Sequence, residues 1–277
     1  MLRLLRSLAP MLGVLFLFPA VGWAQSTYDL FGSAKADGLA QATTAAPSAR
    51  GPHANPAAHG PAQASSAAFY AQEPFGMSVL RYGAVGLSAP FQWGTLIGGA
   101  STFGFEDYRE IHYTLGAARG VSFGTSRSVY LGLVLRYHHT RIAGYGRAGG
   151  LALNPGLLVK VLPSLHLGAH ATNINGSSLT EGEPLPRTLA LGVQYRAHDT
   201  VRILVDLFKD VVFPATARVG LEARPVDAFV LRAGGSTAPT RFSAGIGVAL
   251  GPLEADLAAQ QHQQLGWSPS ASLRFDW

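Results

Sequence analysis

From about Ala67 to its end the chain alternates apolar and polar residues, the period expected of strands with two unlike faces. Val129, Leu131, Leu133, Leu135 and Tyr137 fall on one side of a segment, with Tyr130, Gly132, Val134, Arg136 and His138 on the other. Leu189, Leu191, Val193 and Tyr195 oppose Thr188, Gly192, Gln194 and Arg196 in the same way. Val201, Ile203, Val205 and Leu207 then oppose Arg202, Leu204, Asp206 and Phe208. The pattern returns at Val219–Leu221, at Phe242–Leu250 and at Leu253–Leu257, and it closes on Leu273, Phe275 and Trp277. Counted this way, residues 66–277 hold about fourteen strands at roughly 15 residues per strand and turn, the length needed to cross a bilayer at a tilt.

Each strand has one wholly apolar face, and the other carries glycines and charges of both signs. In a membrane barrel the apolar face meets lipid and the mixed face lines the lumen. The fold expected is therefore all-β, a transmembrane antiparallel β-barrel of about 14 strands. A soluble β-sandwich would also alternate, but would show more charge outside. Charged residues are 13% of this chain, against about 25% in ordinary soluble domains. The 33 glycines suit a crowded interior, where small side chains leave space for larger neighbours or a plug. A net charge of +5 without basic–aromatic clusters gives no nucleic-acid footprint.

The two ends refine the picture. Arg3 and Arg6 precede an apolar run from Met11 to Phe18, and Val21-Gly22-Trp23-Ala24 offers a cleavage site, so residues 1–24 read as a signal peptide. The run is too short for a helix across about 30 Å of hydrocarbon. With no cysteine, an exported chain has neither disulfides nor a lipidated thiol. Residues 25–65 are rich in Ala, Gly, Pro and Ser, which by composition alone reads as a flexible leader. The aromatic last strand, with Phe275 and Trp277, is expected to act as the assembly signal for the barrel-assembly machinery of a bacterial outer membrane, with outer-membrane lipid as the other partner.

Arg136, Arg196, Arg202, Asp206, Arg218, Glu222, Arg232, Arg241, Glu254, Asp256 and Arg274 all fall on lumen positions. Mixed signs in a confined space favour a network that stiffens the lumen over a selectivity lining. Asn154-Pro155-Gly156 interrupts the apolar segment 151–161, and proline cannot donate a ladder bond. It reads as a bulge or strand end, with a lateral window for an apolar ligand as the functional alternative. His138 and His139 face opposite ways and cannot chelate together. No serine or acid sits in a catalytic frame, so no enzyme activity, metal or cofactor is expected.

In the order of its segments the chain resembles the PorV/PorQ family, a branch of the FadL-like outer-membrane barrels. The resemblance rests on Gly32 to Ala40, on Asn55-Pro56-Ala57, and on Phe103-Gly104-Phe105 before Tyr108. It continues through Leu191-Gly192-Val193-Gln194-Tyr195, Val205-Asp206-Leu207-Phe208-Lys209, Gly220-Leu221-Glu222 and Leu231-Arg232-Ala233-Gly234. It implies that residues 25–65 form a hatch inside the barrel, with Asn55-Pro56 as a turn in the lumen. It also implies a part in type IX protein secretion, with secretion components or secreted cargo as partners. The alternative is a FadL-like transporter of hydrophobic small molecules.

Overall fold

The computed structural model describes residues 32–51, 53–124 and 126–277. The expected signal peptide, 1–24, and the first part of the expected hatch lie outside the described residues. The first half of the wall is built by β1 (Ser66–Gln72), β2 (Tyr82–Phe91), β3 (Gly94–Gly104), β4 (Tyr108–Phe123), β5 (Arg127–Ile142), β6 (Gly146–Leu162) and β7 (Leu165–Thr172). A small hairpin, β8 (Ser178–Thr180) and β9 (Glu183–Pro184), follows. The second half is β10 (Thr188–His198), β11 (Val201–Asp210), β12 (Thr216–Val226), β13 (Phe229–Thr237), β14 (Thr240–Leu250), β15 (Leu253–His262) and β16 (Gly266–Asp276). All but β8 and β9 join one closed antiparallel barrel, and β1 seals it against β16 through the register Ser66↔Asp276 to Gln72↔Ser270.

Apart from the β1–β16 seam and the β7–β10 pair, which flanks β8 and β9, neighbouring strands are consecutive hairpins, so the ladder follows the chain around the barrel. Side chains alternate across the wall, as the sequence pattern requires. Leu133 and Val205 stand 47% and 46% exposed on the outer surface, whereas Arg136 and Asp206 are each 2% exposed inside. In water such a coat of bare Leu, Val and Tyr would be a large apolar patch; in hydrocarbon it is the matching surface. No helix among the described residues is long and apolar enough to cross a membrane.

The two rims differ. At the end that carries Ser66 and Asp276, the connections 92–93, 163–164, 199–200, 227–228 and 251–252 are all short. The opposite end carries the longer 73–81 and 173–187 connections. Short turns mark the periplasmic rim of outer-membrane barrels and long loops the extracellular rim.

The described residues between 32 and 59 lie inside the barrel, most of them buried. They form a short helix, α1 (Ala34–Gly38), capped by the Ser33 hydroxyl, which accepts from the Ala36 amide. A 3₁₀ turn, Pro56–His59, follows, with the Asn55 side chain accepting from the Ala57 amide and proline in the first turn. Ala42, Ala45 and Ala57 are 0% exposed. A segment of alanines and prolines would not hold a fold alone; here the wall surrounds it.

The inside–outside phase has a direct test. Leu133→Arg or Val205→Arg should cost about 2–4 kcal/mol if the side chain meets mid-bilayer hydrocarbon, read by urea unfolding in lipid vesicles. Leu133→Ala should cost much less, and an arginine tolerated at both positions would reverse the assigned faces.

Candidate functional site

The lumen is occupied by the hatch, and inward glycines set how close it comes. The hatch follows the wall in strand order. α1 lies against β14, β15 and β16, and Leu39 lies on Gly220 of β12 and Gly234 of β13. Thr44 lies on Gly168 of β7 and Gly192 of β10, and Asn55 to Ala57 lie on Gly156 of β6 and Gly132 of β5. A Cβ on Gly156 would sit 2.0 Å from Asn55 Oδ1, and one on Gly168 would sit 2.2 Å from the Thr44 carbonyl oxygen. At Gly132 it would be 2.4 Å from the Pro56 carbonyl carbon. These distances lie below van der Waals contact, so the glycines are what lets hatch backbone reach wall backbone.

Specific bonds then fix the register. Asn55 donates from Nδ2 to the Thr44 carbonyl at 2.8 Å and to the wall carbonyl of Leu157 at 3.0 Å. The Thr44 amide donates to Asp206 at 2.9 Å, and the Ala40 amide to Ser243 Oγ at 2.9 Å. Asp37, wholly buried, accepts from the Tyr70 hydroxyl and from Gln41, each at 2.6 Å. Buried polar groups cost stability unless bonded, so these contacts select one docked position.

A chain of ion pairs joins hatch to wall nearer the periplasmic rim. Arg202 pairs with Glu222 at 2.6 Å, and Glu222 with Arg232 at 2.9 Å. Arg232 also pairs with Asp256 and lies 3.6 Å from Glu254. Glu254 holds Lys35 of the hatch at 2.9 Å as well as Arg274. Arg274 donates to the Ser48 carbonyl at 3.2 Å and lies 3.4 Å from Asp276, which Arg50 approaches at 3.6 Å. Each buried charge has partners of opposite sign, the condition for keeping it buried.

The expected lumen residues thus divide. Arg202, Glu222, Arg232, Glu254, Asp256 and Arg274 form one network with two hatch cations. Asp206 and Arg218 are register partners elsewhere on the wall, and the Arg218 guanidinium lies 3.9 Å from the centre of the Phe208 ring. Arg136 and Arg241 are buried on β5 and β14. Arg196 is at the periplasmic rim and donates to the Pro163 carbonyl of the β6–β7 turn.

Asn154-Pro155-Gly156 lies within a continuous β6, paired throughout with β5. The ladder to β7 ends at Gly156↔His170. Beyond it, Asn154 accepts from the Asn173 amide at 2.8 Å and Leu153 from the Ile174 amide at 3.0 Å. The 173–187 connection fills this notch and turns inward, with Leu185 5% exposed and Ser178 against the inner side of Gly150. Asn173 holds its turn by donating to the Ser177 and Leu185 carbonyls. Pro155 lies one residue beyond the last β6–β7 register pair. Phe275 and Trp277 stand outward, their rings stacked at 5.9 Å.

Sequence reasoning missed the hatch partners, Lys35, Asp37, Thr44 and Arg50, because a composition reading treats that segment as a linker. It also missed a cluster of imidazoles. His53 of the hatch lies 3.1 Å from Ser101 Oγ, and its ring is 6.0 Å from that of His112. The His112 and His138 rings lie 4.4 Å apart, tilted by 57°. Among the described residues no group of His, Cys, Asp or Glu is arranged to hold a metal ion. Burial pulls the hatch imidazoles below their ordinary range, His53 well below it, with Arg136 adding to the effect. His59 falls to about 4, through burial first and then the charges of Arg50 and Arg274, against the opposing pull of its bond to the Gly51 carbonyl.

A scan of protein-family models and a search of curated proteins found no match. Solved structures do match in fold. The CymD monoaromatic hydrocarbon channel aligns with a TM-score of 0.67 at 13% identity, covering 90% of this chain and 98% of its own. A Pseudomonas aeruginosa FadL homologue gives 0.59 at 11%, covering 88% and 98%. The Pseudomonas putida toluene transporter TodX gives 0.52 at 12%, covering 79% and 90%. The fold is that of a FadL-like outer-membrane barrel.

If the glycines seat the hatch, Gly132→Val with Gly156→Val should displace it and raise ion conductance in planar bilayers severalfold. Gly98→Val, where a Cβ meets nothing within 4 Å, should leave conductance unchanged. Acid should also loosen the hatch. His59 stays neutral when docked and takes a proton near the ordinary value of about 6.5 when released. Its contribution is therefore full above about pH 6.5 and is lost as pH falls toward about 4. Amide exchange across 53–60, corrected for intrinsic rate, should quicken between pH 7.5 and 4.5, and His53→Gln with His59→Gln should flatten that change.

Proposed function

We propose that this protein sits in the bacterial outer membrane and passes small hydrophobic molecules through a gated barrel. The observation that carries the reading is the blocked lumen. The hatch fills it from the periplasmic half and the 173–187 connection folds in from the extracellular rim. An open aqueous pore for polar solutes would need a clear path. A plug held by many individually modest bonds is instead built to move when something displaces it.

Two features favour an apolar solute. The extracellular rim exposes Met77 and Val79 on the 73–81 connection, and Val211 and Val212, at 64% and 77%, on the 211–215 connection. Apolar side chains held there can collect molecules that partition poorly into water. At the Asn154–Pro155 notch the wall is completed by a loop instead of a strand ladder. A loop opens at lower cost than a ladder, so we assign this notch as the sideways exit to the bilayer. The barrels of similar fold named above include two for monoaromatic hydrocarbons or toluene, an analogy of fold that points the same way.

The secretion role implied by the resemblance to the PorV/PorQ family is the competing reading, and one experiment separates them. Expressed in a strain lacking its own hydrophobic-solute channels, the protein should raise the initial uptake of labelled toluene or oleate at least threefold, with sugar uptake unchanged. Unaltered uptake, together with stoichiometric co-purification of secretion components, would replace transport by secretion.

A further inference from the structure

The outer surface carries a polar feature that neither the hatch nor transport uses. Arg109 of β4 is the register partner of Arg141 of β5, and Arg141 is the partner of Arg147 of β6. All three are exposed. Their positions have the same parity as Tyr113, Tyr137 and Leu151, which face outward at 53%, 44% and 48% exposure. The arginines therefore form a row on the outside of the barrel, at the extracellular ends of three adjacent strands. Among the described residues none of them has an ion pair or hydrogen bond from its guanidinium. Glu106 and Asp107, on the neighbouring turn, are exposed as well, whereas Glu110, next to Arg109, faces inward beside His112.

Like charges placed directly opposite across a sheet destabilise it. A row of three such charges calls for an anion from outside the chain. The geometry narrows the choice. Two residues down each strand comes Ile111, His139 or Gly149, and two further come Tyr113, Tyr137 and Leu151. Tyrosine at this level marks the boundary between headgroups and hydrocarbon. At about 3.3 Å per residue the arginines stand roughly 13 Å further along the tilted strands, at headgroup height. Guanidinium groups bind phosphate through paired hydrogen bonds.

The same strand leads down to an apolar depression of about 900 Å³ in the outer wall. Tyr113 and Ile111 form its β4 edge, and it extends across β3, β2 and β1 to β14. Its floor is shallow because small residues share a row: Ala71 is the partner of both Gly83 and Ala271. Phe69 and Leu257 stand higher around it, at 58% and 57% exposure. From inside, Tyr70 bonds to Asp37, which ties this part of the wall to the hatch. Two copies meeting through this face would set depression against depression and enclose a void, which forfeits the contacts that hold proteins together in lipid. A flexible hydrocarbon chain fills it.

We propose that this face is the binding site for a phosphorylated, acylated lipid of the outer leaflet. Its phosphate lies on Arg109, Arg141 and Arg147, and one acyl chain lies in the depression over Ala71 and Gly83. The site is outside the barrel and independent of what the lumen carries.

Native mass spectrometry of the detergent-solubilised full chain, titrated with purified lipid A, tests it. The wild type should retain one lipid A. Arg109→Ala with Arg141→Ala and Arg147→Ala should weaken retention at least tenfold. Ala71→Phe with Gly83→Leu, which fills the depression, should weaken it severalfold. Both variants should keep the heat-modifiable gel shift of a folded barrel. If the triple variant loses that shift, Arg141→Gln alone reads the same contact, with at least a threefold loss expected. Equal retention by the wild type and the arginine variants would overturn the proposal. So would full competition by inorganic phosphate, which would make this a free-anion site, or a retained mass equal to a second copy of the chain.

Discussion

Everything in this molecule depends on how closely a stretch of hatch backbone can approach the inner wall of a closed barrel. Fourteen strands enclose a space too wide for their own side chains to fill. The wall answers with glycine at the places where the hatch passes, at Gly132, Gly156, Gly168, Gly192, Gly220 and Gly234. A larger residue at any of them would push the hatch away and leave the buried Asp37, Asn55 and Asp206 without their partners. Backbone contact comes first, and the hydrogen bonds follow from it.

The charges act within that frame. Arg232 alone meets Glu222, Asp256 and Glu254, and Glu254 passes the connection on to Lys35 of the hatch. Such pairs bring little net stability after their desolvation, but they penalise any other arrangement heavily. The network therefore specifies where the hatch sits more than how firmly it sits there. A plug of this kind can be both uniquely placed and releasable, which is what a gate requires. Nearer the extracellular rim His53 of the hatch meets His112 and His138 instead of a salt network, whereas His59 lies beside Arg50 and Arg274 of the network itself.

Inside and outside are built by different rules on the same strands. On β4 the inward residues Glu110, His112 and Thr114 form part of the lumen's polar lining, while the outward Arg109, Ile111 and Tyr113 grade from headgroup to hydrocarbon. The outer surface is also uneven: Leu191 and Leu207 pair on β10 and β11, whereas Ala71, Gly83 and Ala271 make a hollow near the seam. Since the seam is also where α1 presses from within, the two faces of β1 are joined through Tyr70. A lipid in the hollow and a hatch in the lumen are then separated by one sheet.

The alternation of Leu131, Leu133 and Leu135 with Gly132, Val134 and Arg136 was enough to determine the barrel, its approximate strand number and the side each residue faces. Period two leaves no freedom once one face must meet lipid. The lumen position of most of the charges was legible for the same reason. Their pairing was not, because partners such as Lys35 and Glu254 lie 219 positions apart and meet only when the barrel closes. The hatch was the extreme case. Its alanines and prolines carry no periodic signal, so composition describes a linker, and only the surrounding wall turns it into a buried, bonded element. Pro155 shows the remaining limit. In the sequence it interrupts an apolar run, yet the strand passes through it, held by β5 in the pair Leu133↔Pro155 at the point where the β7 ladder ends. Local pattern decides what a strand presents to each side; closure of the sheet decides which of those groups find one another.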